Sequence, residues 1–287
     1  MAAAPAKPSD ALPANQTGGF DGARAFAHVE KLVSIGVRYP GSPGIRAAQE
    51  YIKSQLEGAG CKVDEDNFEA QTPVGRVSMR NIVAKVPGKS ANIILLSTHY
   101  DSVRLPLGFV GANDSGSSTG LMLELARILC KRENALTIWI TFFDGEEALQ
   151  EWSDADSLYG SRQMAAKLAL SGDLKRVKAM INADMIGDKN LNILSDDNST
   201  PWLRQIVFDT AKRLGYQKEF SGGANAIGDD HMPFIKRGVA ALDVIDLDYP
   251  PWHTLQDTLD KVSARSLGVV GHVILVSIPE IEKKIRE

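Results

Sequence analysis

Four short runs along the chain are almost continuously apolar: Asn92–Thr98, Leu136–Phe143, Val177–Asp184 and Ala240–Ile245. Each is rich in Ile, Leu, Val and Phe and too short for an ordinary helix, so each predicts a strand buried on both faces. Helix-like segments separate and follow them, at Thr119–Lys131, Ser161–Ser171, Trp202–Leu214 and Arg265–Lys284. Two more helices are predicted upstream. Gly22–Ser34 carries Phe26, Val29, Leu32 and Val33 on one face, and Ile45–Gly60 follows a Pro- and Gly-containing turn. Cys61–Phe68 and Val77–Val86 read as two strands of a hairpin, joined by a turn containing Pro73 and Gly75. Continuous apolar strands alternating with helices specify one α/β domain of three layers, with a mixed, mainly parallel sheet covered on both faces. Residues 1–20 carry no apolar periodicity and are expected to form a disordered lead to a domain spanning 21–287.

Composition narrows the function. With 44% hydrophobic content in 287 residues the chain can build a large core. Thirty-two Lys and Arg against 36 Asp and Glu give a net charge of −4, which supplies no broad basic field, so nucleic acid is not an expected partner. The longest apolar stretch, Leu267–Pro279, carries His272 and falls short of the ~20 residues of a spanning helix. Two cysteines, Cys61 and Cys130, make neither a disulfide framework nor a four-thiolate zinc site; buried free thiols are expected, with a bridge between them the alternative. The first residues lack the apolar core of a signal peptide. Their Ala- and Pro-rich character suits a tether left after signal removal, so a periplasmic or secreted location is expected.

The chemistry gathers where the apolar runs stop. In open α/β sheets ligands bind beyond the carboxyl ends of the strands. The first run ends in His99-Tyr-Asp101, followed by a Gly-rich loop with Asp114. The second ends in Asp144-Gly-Glu146-Glu147, the third in Asp184, and the last leads to Trp252-His253-Thr254. Carboxylates crowded in this way repel one another, and a cation is the economical remedy. Imidazole with carboxylate and no thiolate suits zinc with one coordination position left open. Glu146 and Glu147 are adjacent at a strand exit, where successive side chains point to opposite sides. One can bind metal while the other faces a substrate as general acid–base.

Blander readings hold elsewhere. His231 sits in Asp229-Asp-His-Met-Pro-Phe234 at a helix start, where Asp can cap free N–H groups, and is expected to be structural. His28 and His272 lie within helical patterns. Gly116-Ser-Ser118-Thr-Gly120 fits the G-x-S-x-G elbow of serine hydrolases, but no strand leads into Ser118; a loop containing Pro106, Gly108 and Gly111 does.

Together, His99-Tyr-Asp101, Gly111-Ala-Asn-Asp114, Glu146-Glu147, Asp184 and His253 resemble the zinc aminopeptidase-like M28 family. Phe142-Phe-Asp-Gly-Glu-Glu-Ala148, Trp152, the Asp156–Arg162 segment, Asp229–Phe234 and Trp252-His253-Thr254 look like its glutaminyl-peptide cyclotransferases of animal type. The insertion Ala148–Ser157, which carries Trp152, is the most telling feature. The resemblance runs from about Gly22 to the C-terminus. It implies cyclisation of N-terminal glutamine in peptides and proteins, with one zinc held by Asp114, Glu147 and His253; a monomer is expected. It assigns Glu146 as proton carrier, Asp184 and Asp229 as an acidic network beside it, and Trp152 and Trp252 as pocket walls. In two-metal relatives, aminopeptidases that hydrolyse N-terminal residues, His99 and Asp184 help hold a second zinc. Three departures stand out. Asp243 occupies a position where animal cyclases have His, Thr98 and Thr119 stand where their disulfide would be, and the Asp248–Pro251 loop is one residue shorter. The missing disulfide suits a bacterial origin.

Overall fold

The structure, a computed structural model, describes residues 10–105 and 108–287. Pro106 and the first nine residues of the expected lead lie outside the described residues. A six-stranded mixed sheet forms the middle layer, ordered in space as β1 (Lys62–Thr72), β2 (Gly75–Val86), β4 (Leu136–Phe143), β3 (Ser90–His99), β5 (Val177–Asp184) and β8 (Ala241–Ile245). The hairpin of β1 and β2 is antiparallel, and both strands run on to the turn itself, pairing Thr72 with Gly75. Gly75 has φ +106°, a conformation that favours glycine. Next to β2 lies β4, which together with β3, β5 and β8 forms the parallel part.

The continuous apolarity of these strands has a direct cause. Ile94 and Leu96 of β3 face the larger core, while Ile93 and Leu95 face the smaller one. The larger core lies under α1 (Gly22–Ile35), α2 (Pro43–Gly58), α3 (Gly116–Leu129), α5 (Pro201–Arg213) and α7 (Ala264–Arg286). The smaller lies under α4 (Tyr159–Ser171) and α6 (Met232–Ile235). A two-stranded ladder of β6 (Ser195–Asp196) and β7 (Ala224–Asn225) stands apart from the main sheet. Asp21 and Ser42 cap α1 and α2 through their side chains, and Pro43 opens α2 where its missing N–H costs nothing. α7 is apolar and long enough to cross a membrane, but 78% of its apolar window is buried, which makes it a core helix of this fold.

Two expectations are corrected. Residues 10–20 are not a disordered lead. Thr17 and Phe20 are fully buried, Leu12 packs on the core, and the Ser263 hydroxyl donates to Asp10 at 2.6 Å. The Phe20 ring occupies the space beside Gly271 of α7, where a Cβ would approach it to 2.4 Å. A single buried aromatic thus anchors a polar segment that shows no periodicity. Nor are the cysteines free: Cys61 and Cys130 form a disulfide, with Cα atoms 5.3 Å apart. Cys61 follows the end of α2 and Cys130 caps the end of α3. Sequence shows each as a buried position, but only the packing of the two helix ends side by side makes them partners.

Denatured, unreduced protein is therefore expected to give no thiol reaction with a chromogenic disulfide reagent. Cys130→Ser should cost about 2–4 kcal/mol in a urea melt, because the bridge closes a separation of 69 residues.

Candidate metal centre and active site

The parallel strands bring their carboxyl ends level: His99 of β3 lies opposite Phe143 of β4, and Asp184 of β5 opposite Ile245 of β8. The eight residues singled out from sequence, Asp114, Glu146, Glu147, Trp152, Asp184, Asp229, Trp252 and His253, all line one cavity of about 350 Å³. Met185, Ile227 and Leu247 are among its apolar walls.

Alternation along a strand does not separate Glu146 from Glu147, because β4 has already ended. Gly145, at φ +70°, turns the chain, with no room for a side chain against Met79 Sδ. The Asp101 carboxylate then accepts both following amides, Glu146 N at 3.1 Å and Glu147 N at 3.2 Å. Glu147 Oε1 meets His253 Nε2 at 3.1 Å, whereas Glu146 Oε2 lies 3.9 Å from His99 Nδ1. Asp114 stands between the two imidazoles, 3.3 Å from His253 Nε2 and 3.2 Å from His99 Nε2. His99 Nε2 also reaches Asp184 at 3.0 Å. His253 adopts φ +51°, with its ring tilted against Trp252 at a centroid distance of 4.5 Å.

Asp114, Glu147 and His253 thus bring three ligand atoms within 4.8 Å of one another, and His99, Asp114 and Asp184 form a second such group. The electrostatics of both groups suit a cation. Burial pushes Glu147 up to about 8, with Asp114 adding to it and His253 opposing. Asp184 is pushed up to about 7 by burial, against His99. Burial drives Glu146 well above the carboxylate range, with His99 opposing and Glu147 adding. Burial would lower both imidazoles, yet hydrogen bonds to Asp114 and Glu147 push His253 up to about 10. Asp184, with Asp101 and Asp114, likewise carries His99 well above its usual value. Glu147 Oε2 is buried without a hydrogen-bond partner. Two carboxylates and an imidazole around an unsatisfied oxygen fit a zinc site.

Trp152 is positioned by its own loop. The Asp156 carboxylate accepts the amides of Leu149, Gln150 and Glu151 at 3.0, 2.8 and 3.0 Å and the Tyr159 hydroxyl at 2.8 Å. Both Trp152 and Trp252 remain about half exposed at the cavity. Asp229 does not cap α6, as its sequence position suggested, and the helix has no side-chain cap at all. Its carboxylate takes the Asp230 amide and the Asn182 side-chain amide instead. Asn182 also donates to Asp243 at 3.1 Å, so Asp243 joins the network from behind the cavity. His231 is fully buried 3.2 Å from Asp196, a structural position. His28 and His272 meet Tyr51 and Tyr216, away from the site. Ser118 lies inside α3, accepting a hydrogen bond from Thr98 and donating to Ser115, which removes the elbow reading.

Arg38 escaped the sequence reading. It is fully buried and donates to the carbonyls of Tyr100, Val110 and Gly111, pinning the loop that leads to Asp114. Burial lowers its pKa to about 10 even with Asp257, Asp114 and Asp101 nearby. No periodicity marks such a residue.

Residues 81–278 match the profile of Peptidase family M28. The chain belongs to this family. A glutaminyl-peptide cyclotransferase from Gloydius blomhoffii is 31% identical across 85% of this chain and 77% of its own length. Glutaminyl cyclase from an Acidobacteriales bacterium superposes with a TM-score of 0.89 at 41% identity, covering 99% of this chain and all of that one. The Porphyromonas gingivalis glutaminyl cyclase gives 0.84 at 30% identity, over 91% and 98%. The M28 scaffold here therefore falls with the cyclotransferases, as the Trp152 insertion indicated.

Arg38→Leu is expected to destabilise the fold by more than about 3 kcal/mol in chemical denaturation. The carbonyls of Tyr100 and Val110 lose a donor, at about 1–3 kcal/mol each, while Gly111 O keeps only Gly116 N.

Proposed function

We infer that this enzyme cyclises the N-terminal glutamine of peptides and proteins to pyroglutamate, releasing ammonia. The observation that carries the reading is the pairing of Trp152, on its insertion, with Trp252 around a cavity in which Glu146 stands apart from the Asp114–Glu147–His253 group. Asp114, Glu147 and His253 would hold one zinc, which when bound would supply Lewis acidity toward the carboxamide of the substrate glutamine. Trp152 and Trp252 hold the side chain folded, so that the α-amine lies against its own carboxamide carbon; the nucleophile is already tethered and needs only the right conformer. Glu146 accepts a proton from the attacking amine and delivers it to the departing amide nitrogen. A carbon–nitrogen bond closes the ring, the carbon–NH2 bond breaks, and the transferred proton completes ammonia. Asp184 and Asp229 sustain the acidic surroundings of Glu146.

The second group, His99–Asp114–Asp184, favours one other reading: a two-metal aminopeptidase in which Glu146 activates water. Mass spectrometry of a Gln-initiated peptide separates them. Loss of one ammonia from an intact chain supports the cyclase, and free glutamine overturns it. The Cys61–Cys130 bridge favours an oxidising compartment such as the periplasm or the exterior.

Glu146→Gln is expected to retain zinc while lowering kcat by about 10²–10⁴-fold, the usual worth of a positioned acid–base. His253→Ala should lose the metal, as read by elemental analysis after dialysis. Near-normal turnover by Glu146→Gln would falsify the assignment.

A further inference from the structure

We propose that Asp257 is a positioning residue that fixes Asp114 against His253, so that metal affinity depends on a side chain outside the ligand group. Asp257 is buried, and it engages three successive amides of the loop before α3. Ala112 N donates to its main-chain oxygen at 3.3 Å, Asn113 N to Oδ1 at 2.8 Å and Asp114 N to Oδ2 at 3.0 Å. The Tyr249 hydroxyl also donates to Oδ1, at 2.7 Å, from outside both loops' amides.

The same residue belongs to the turn that carries His253. Thr254 N donates to Pro251 O at 3.0 Å, and Asp257 N to Thr254 O at 3.1 Å. One side chain therefore joins two ligand-bearing loops that are far apart in sequence. The union matters because neither loop has a strand or helix at the ligand itself. His253 holds φ +51°, a conformation that costs a non-glycine residue about 1–3 kcal/mol and persists only where neighbours over-determine it. Asp114 is further set by Asn113, whose Oδ1 accepts Gly187 N at 2.8 Å from the loop after Asp184.

A carboxylate is required for this task. Two successive N–H groups need two acceptor oxygens in one plane, and an amide offers only one. In Asp257→Asn, one buried N–H faces an NH2 group, and the Asp114 backbone must move away from His253. Loss of a residue that orients metal ligands typically lowers affinity about 10–100-fold.

The proposal rests on the metal reading above, not on the reaction. Its test uses the full chain and zinc alone, with affinity read by competition against a chromophoric chelator. The visible spectrum of the cobalt(II)-substituted protein reports ligand geometry. Asp257→Asn is expected to weaken zinc about 10–100-fold and to alter the cobalt spectrum. Tyr249→Phe keeps both carboxylate–amide bonds and should bind zinc close to wild type. If Asp257→Asn fails to fold, Asp257→Glu, which retains two oxygens but displaces them by one methylene, should show the same loss. Wild-type affinity and spectrum in the folded Asp257 variant overturn the proposal. So does an equal loss in Tyr249→Phe that tracks melting temperature, since that marks a general structural role. A wild-type chain that binds no zinc overturns the metal reading itself.

Discussion

Backbone amides captured in succession by a single aspartate carboxylate hold the irregular parts of this site. Asp101 takes the amides of Glu146 and Glu147, Asp156 those of Leu149, Gln150 and Glu151, and Asp257 those of Asn113 and Asp114. Loops beyond strand ends leave N–H groups without ladder partners, and buried N–H groups must be paired. A carboxylate answers two of them at once and, being buried and multiply bonded, does so rigidly. Its negative charge also adds to a site already crowded with carboxylates. The metal site and the loops that frame it thus share one electrostatic deficit, which a bound cation relieves.

The fold divides the labour between sheet and loops. The parallel strands supply a level platform from which His99 and Asp184 project directly. Asp114, Glu147, Trp152 and His253 all sit on connecting segments. The platform is fixed by the two cores on its faces, while the segments are fixed by polar bonds, including the buried guanidinium of Arg38 beneath the loop to Asp114. Changes in a core should therefore alter stability first, and changes in the carboxylate–amide contacts should alter ligand geometry first.

This division also governs what the sequence discloses. Leu136–Phe143 and Val177–Asp184 are strands with the bounds their apolar runs predict, because burial on both faces writes itself into composition. Asp114, Glu146, Glu147, Asp184 and His253 stand out because polar residues around strand exits in an α/β chain have no structural excuse. Asp229, by contrast, shows only through the family resemblance and Trp152 through its insertion; all of them line one cavity. What stayed hidden depends on three-dimensional adjacency. Arg38 bonds to carbonyls, which have no sequence signature. Cys61 and Cys130 meet only because two helix ends pack together. Phe20 anchors the N-terminal segment as a lone apolar residue. The opposed directions of Glu146 and Glu147 were anticipated for the wrong reason: Gly145 and Asp101 produce them, not strand pleating.

His99 bears on whether the centre works with one metal or two, through the chemistry of a single nitrogen. Its Nε2 lies 3.0 Å from Asp184 and 3.2 Å from Asp114. A protonated Nε2 donates to these carboxylates and cannot ligate a metal, whereas a deprotonated Nε2 can ligate but leaves both carboxylates without that donor. The second form needs its proton on Nδ1, directed at Asp101 Oδ1, 3.4 Å away. That oxygen already accepts Glu146 N, and its partner oxygen accepts Glu147 N. Each carboxylate oxygen can accept more than one N–H, so the aspartate that shapes the Glu146–Glu147 turn is also placed to receive His99. Which nitrogen carries the proton therefore couples the Glu146–Glu147 turn, through Asp101, to the His99–Asp114–Asp184 group.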